Sequence, residues 1–213
     1  KIIISLVIFI FAYSFELTAK EFKIQSPNKK IELNVNISNT ISYSVIKNGM
    51  NVIMPSQISL TLYDGKVLGS NPKLNDVKTR TVNEIIKPIV RQKFESIKDN
   101  FNEITLSFEG NYSLIFRVYD DGVAYRFQTT FENEITIKSE QVEFNFEKDF
   151  DILFPEEESF MSHSERIYHP LKLSEVTGKR FCSLPALVKL ENNVKAVVTE
   201  ADLEDYCGLY LTG

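Results

Sequence analysis

The chain has no tryptophan, only two cysteines, two histidines and eight glycines among its 213 residues. Without tryptophan, any ring-stacking surface must be built from the nine tyrosines and sixteen phenylalanines. Cys182 and Cys207 are too few for a disulfide framework, and their spacing leaves open whether they form one bridge or none. Neither has a cysteine or histidine at the spacing of a zinc site, so with His163 and His169 they make no metal motif. Positive charge is also scarce. The net charge is −5, and no basic stripe interleaves with aromatics, which sets aside a nucleic-acid partner. No stretch carries the amphipathic period and caps of a helix of three or more turns, and there is no internal repeat. What is present, 43% hydrophobic and 25% charged residues, is enough for a sizeable core and argues against disorder.

The first residues, KIIISLVIFIFAYSFELTAK, combine Lys1, an uncharged apolar run Ile2–Phe15 and the small residues of Leu17-Thr18-Ala19. That order is an export signal, taken here as residues 1–19 and cleaved near Ala19. A membrane anchor is the competing reading, but the run is short for a span and Glu16 ends it. The expectation is therefore an exported protein without membrane contact after cleavage. No cysteine lies at the cleavage site for lipid attachment.

From Lys20 onward apolar residues alternate with polar ones. Ile31, Leu33, Val35 and Ile37 alternate with Glu32, Asn34 and Asn36; Ile41, Tyr43 and Val45 follow, and then Ile58, Leu60 and Leu62. Lys47-Asn48-Gly49 and Asp64-Gly65 separate such runs as turns. Short half-buried strands with Asn/Asp-Gly turns predict an all-β fold, an antiparallel β-sandwich, in one domain over 20–213. Pro155-Glu156-Glu157-Glu158-Ser159 reads as a solvated acidic loop.

Leu114–Phe127, LIFRVYDDGVAYRF, holds the sharpest local puzzle. A two-residue Asp121-Gly122 turn pairs Arg117 with Arg126, with Leu114, Phe116, Val118, Tyr125 and Phe127 on one apolar face. Opposed arginines repel, so an anion is expected beside them. Either an acid such as Asp120, Glu109 or one on a neighbouring strand supplies it, or the face docks an acidic surface or ligand.

The same stretch resembles the phrase R-x-Y-D-D-G-x-A-x-R in the amino-terminal domain of glycoside hydrolase family 97. SPNKKIELNVNI, GMNVIMPSQISLTLYDGKVLG and FNEITLSF resemble further segments of that domain in the same order, and VVTEADLEDYCGLYL resembles its E-A-x-L-x-x-Y-x-G-M-x-L close. The resemblance covers essentially the whole chain after the leader. One departure is Glu84-Ile85-Ile86-Lys87-Pro88, which stands where the family has a tryptophan-bearing stretch. The resemblance implies a sandwich of the supersandwich, galactose-mutarotase-like kind. It also implies a parent α-glucosidase or α-galactosidase acting on oligosaccharides in the bacterial periplasm. The catalytic residues would belong to a following (β/α)8 barrel, with none in this chain.

Glu200 stands where the strand Val194–Val198 gives out. Read from the residues, it is an acid near the N-terminus of a short turn, Glu200–Leu203, that Thr199 caps. The resemblance implies instead that Glu200 is one ligand of a calcium ion, Ca2+, shared with the barrel. Asp202, Glu204 and Asp205 read as solvated. Two other classes stay open, a stand-alone exported carbohydrate-binding or cell-surface module carried by Tyr112, Tyr119 and Tyr125, and a purely structural domain.

Overall fold

The computed structural model describes residues 19–90, 93–163, 165–203 and 206–213. The expected leader, residues 1–19, falls almost wholly outside the described residues. Alternation translates directly into strands. β1 (Lys20–Gln25), β2 (Ile31–Ile37), β3 (Ile41–Lys47), β4 (Met50–Leu62) and the short β5 (Val67–Leu68) begin an antiparallel sheet. The hairpin β6 (Leu74–Ile86) and β7 (Ile97–Phe108) starts a second, continued by β8 (Tyr112–Tyr119) and β9 (Val123–Thr129). β10 (Ile137–Val142) returns to the first sheet beside β4, giving the order β1-β2-β3-β4-β10 against β6-β7-β8-β9. The all-β antiparallel sandwich is as the pattern requires. The only helical segment among the described residues is a 3-10 turn at Leu173–Glu175.

The core between these sheets is the set of alternating residues. Leu33, Ile41, Leu106, Leu114, Phe116 and Val118 are fully buried in it. β4 keeps its apolar face through a register change: Ile53 points inward, Pro55 is exposed, and inward positions resume at Ser56 and Ile58. The extra residue is absorbed as a bulge. Ser56, buried at that point, donates to the Met54 carbonyl at 2.8 Å and accepts the Asn145 N–H at 2.9 Å, so no polar atom is stranded. The tight turn Asn48-Gly49 joins β3 to β4 with both residues at positive φ, which explains the Asn-Gly pair there.

A second, smaller core gathers the remaining strands. β11 (Asp151–Phe154), β13 (His169–Lys172), β15 (Ala186–Lys189) and β16 (Lys195–Val198) form one sheet. β12 (Glu156–Glu157), β14 (Phe181–Cys182) and β17 (Leu211–Thr212) form another. Phe154, Cys182, Ala186 and Val188 are its buried centre, and Val52 and Phe146 pack against both cores.

One question left open by the sequence is answered, and two expectations need correction. Cys182 and Cys207 do not pair: Cys182 is buried, Cys207 is exposed, and both thiols are free. Burial pushes the Cys182 thiol up to about 12. A thiol reagent such as Ellman's is therefore expected to titrate one cysteine in the folded protein and two in guanidinium. Two rapid equivalents from the native state would contradict this placement.

The acidic run is not a solvated loop, because it pairs as β12 and two of its acids meet arginines. Glu157 is 6% exposed and accepts from Arg166 Nε at 2.7 Å and Ser162 Oγ at 2.6 Å. Glu156 forks with Arg180 at 2.7 and 2.6 Å.

The β8–β9 hairpin is also set differently. Val118 pairs with Val123, so four residues form the loop, and Tyr119 N–H bonds the Gly122 carbonyl at 2.8 Å. Neither Asp121 nor Gly122 has positive φ, so the two-residue turn cannot form. Arg117 therefore faces Ala124, and Arg126 faces Ile115. The anion is Glu103, on β7 between Arg80 of β6 and Arg117 of β8. Arg80 Nη2 donates to it at 2.8 Å and Arg117 Nε at 2.7 Å. Beside this triad the Arg117 guanidinium lies 4.4 Å from the centre of the Phe101 ring.

Candidate functional site

β16 hydrogen-bonds along β15, from Lys195 opposite Lys189 to Val198 opposite Ala186. Beyond Val198 the chain leaves the sheet, and among the described residues no helical turn follows. Asp202 has φ +64 in the left-handed region, which breaks the turn that Thr199 was expected to cap. Glu200 instead reaches along its own loop. The Leu209 N–H donates to both of its carboxylate oxygens, 2.9 Å to Oε1 and 2.8 Å to Oε2. This bond fixes a half-buried carboxylate at the strand end and closes the loop.

The loop is tied to the sandwich at other points. Asp202 is exposed, as expected, and lies 3.5 Å from the likewise exposed Arg126 Nη1. Glu204 and Asp205 lie outside the described residues. Tyr206 donates to Glu140 Oε2 at 3.0 Å, and Tyr125 donates to Oε1 of the same carboxylate at 3.0 Å. Burial, reinforced by the Glu140 charge, pushes both phenols well above the usual tyrosine range.

Directly after Leu209, Tyr210 enters an aromatic group. Phe160 stacks on Phe181 with ring centres 4.8 Å apart, and Tyr210 meets Phe160 edge-on at 4.9 Å. Phe160 is 69% exposed and Met161 beside it 94%. The exposed Phe160 ring and Met161 form an apolar surface suited to sugar rings or to another protein face. Sequence reasoning missed this group because its members lie in three separate, non-alternating segments. The tyrosines singled out from the sequence are committed elsewhere: Tyr112 is buried against Phe108, Tyr125 packs on Phe116, and Tyr119 lies against Phe101.

As a metal donor Glu200 has the right chemistry, a hard oxygen pair held in one direction, but it fills only part of a calcium shell. No group of three or more His, Cys, Asp or Glu side chains able to hold a metal occurs among the described residues. A cation here would take its other ligands from outside them. His169 lies exposed on β13 and Cys182 inside the second core, so no zinc set assembles from these residues.

Comparison with known proteins gives a consistent picture. Residues 24–213 match the family model described as glycosyl-hydrolase 97 N-terminal. A retaining alpha-galactosidase of Bacteroides thetaiotaomicron is 32% identical over 202 residues, covering 91% of this chain and 30% of that protein. Among solved structures, a glycoside hydrolase family 97 enzyme from Pseudoalteromonas sp. strain K8, in complex with acarbose, superposes with a TM-score of 0.81. Its identity is 22%, over 90% of this chain and 30% of that one. A beta-arabinopyranosidase superposes with a TM-score of 0.72 at 22% identity, over 85% and 31% of the two chains. The chain thus spans about 30% of the length of the relatives it matches.

Proposed function

The chain belongs to the glycosyl-hydrolase 97 family through its N-terminal domain, and from that premise we propose that it is the non-catalytic sandwich of an exported α-glycosidase. Hydrolysis of a glycosidic bond needs two carboxyl groups flanking it, one protonated as the acid and one acting as base or nucleophile. In this reading a following (β/α)8 barrel supplies both. The sandwich supplies scaffold, one wall of the sugar pocket and a calcium ligand, Glu200. Oligosaccharides ending in α-glucosyl or α-galactosyl units are the substrate class, and export through the leader at residues 1–19 to the bacterial periplasm belongs to the same proposal.

The observation that supports the metal role is the grip of Leu209 on Glu200. A carboxylate offers about four lone-pair positions, so one shared N–H orients it and leaves acceptor capacity for a cation. Bound there, calcium would neutralise charge and polarise a substrate oxygen. In this reading the sandwich contributes the direction of one ligand, and the rings of Phe160, Phe181 and Tyr210 are its apolar wall.

Calorimetry tests this reading. The chain alone is expected to bind Ca2+ more weakly than about 1 mM, since most of the shell is elsewhere. It is also expected to show no turnover of p-nitrophenyl α-glucoside or α-galactoside. In the polypeptide joining it to its barrel, Glu200→Gln is expected to lower calcium affinity by at least about tenfold, with activity recovering at high calcium. Tight binding by the chain alone, or unchanged affinity in the variant, overturns the metal role; turnover by the chain alone overturns the non-catalytic one. The exposed ring surface also supports a second reading, a free-standing carbohydrate-binding module. That reading requires glycan retention in affinity electrophoresis that is lost in Phe160→Ala.

A further inference from the structure

β6 ends the sheet β6-β7-β8-β9, and among the described residues no strand pairs on its far side. It is 13 residues long and exposed or half-exposed throughout. Proteins normally blunt such an edge with short length, proline, bulges or charge. Here the one irregularity sits at the start, between Leu74 and Asp76, and no proline interrupts the strand. Val77, Thr79, Thr81, Val82, Ile85 and Ile86 give it the composition of a paired strand. Ile85 is 61% exposed, and among the described residues no third strand lies beside the hairpin beyond Phe101.

The charges on β6 decide what fits this edge. A second copy related by a two-fold axis through the strand keeps core-side residues facing core-side residues, so the axis must pass through a single residue. An axis at Thr79 sets Lys78 against Arg80, and one at Arg80 sets Arg80 against itself and Asp76 against Glu84. At Val82, Arg80 would have to leave Glu103 to meet Glu84. At Thr81 the pairings from Val77 to Ile85 are compatible, and Asp76 falls opposite Ile86 at each end. Lys78 meets Glu84 twice, Val77 meets Ile85 twice, Thr79 meets Asn83, and Arg80 lies over Val82 while still bonded to Glu103. In the single chain Lys78 pairs, among the described residues, with the exposed Asp76 at 3.4 Å, an easily exchanged pair.

We propose that β6 pairs antiparallel with β6 of a second copy, centred on Thr81, joining two four-stranded sheets into one. One strand pair buries less than the roughly 800 Å² per partner of a stable interface, so association depends on concentration. The proposal does not depend on the glycosidase reading.

Sedimentation equilibrium of the purified protein between about 1 µM and about 1 mM is expected to show a monomer–dimer transition. Lys78→Glu sets glutamates against each other and Glu84→Lys sets lysines, so each is expected to weaken the dimer about tenfold. The double variant K78E/E84K is expected to restore association, and an equimolar mixture of the two single variants to form heterodimers. Both sites are exposed, so circular dichroism and melting should stay unchanged and exclude misfolding as the cause. A monomer at every concentration, or a dimer indifferent to all three charge changes, overturns the proposal.

Discussion

Replacing Phe116 with alanine is expected to lower the melting temperature by about 10 °C, the largest single effect among these substitutions. The side chain is 0% exposed on β8, with Ile104 opposite it on β7 and Tyr125 opposite on β9. Its ring lies 5.9 Å from that of Tyr125 and 6.4 Å from that of Tyr43 on the facing sheet, so it closes the space between the two layers. Truncating a buried phenylalanine costs about 3–5 kcal/mol, part from lost burial and part from the hole left behind. A chain of this size loses about 2–4 °C per kcal/mol. Phe160→Ala is the control. Its ring is largely exposed, and a shift within about 2 °C is expected. Calorimetric melts of the two variants make the comparison, and equal shifts would mean that the core is not where it is drawn here.

Glu103→Ala is expected to destabilise by about 2 kcal/mol. The carboxylate is nearly inaccessible, and its removal leaves Arg80 and Arg117 facing each other across β7 without an anion. The cost stays below that of a wholly buried pair, because Arg80 is 55% exposed and water screens it. The same residue gives a pH signature. Hydrogen bonds from Arg80, then those from Arg117, outweigh burial and hold the Glu103 carboxyl below its ordinary 4.5. Between the lowered folded value and 4.5 the unfolded chain binds the proton and the folded one does not. The stabilisation is therefore complete above 4.5 and lost as pH falls through the folded value. Glu143, held low by the Gln57 N–H, and Glu156, held low by Arg180, act in the same direction. Melting temperatures taken from pH 7 down to pH 3 should fall less steeply in Glu103→Ala than in the parent, and parallel slopes would remove Glu103 from the acid transition.

The alternation of β2, β3 and β8 was legible because a strand's inward face depends only on parity. For the same reason the β8–β9 faces were right although the register was not. Sliding the pairing by two residues exchanges partners without turning any side chain over. The carboxylate between the arginines was foreseeable as a kind, but its identity as Glu103 depended on which strand lies beside β8. The run Glu156–Glu158 misled because composition does not show arginines 9 and 24 residues away folding back onto it. Glu200 could be placed at a strand end from the sequence. Its tether could not, since every residue but proline carries an N–H and none announces which acid it will meet.

That tether has an evolutionary corollary. The latch across the Glu200 loop closes on main chain, so only proline at Leu209 would delete the donor outright. The side chain at Leu209 itself can change among descendants while the acidic tip keeps its aim, because the donor survives in every residue but proline.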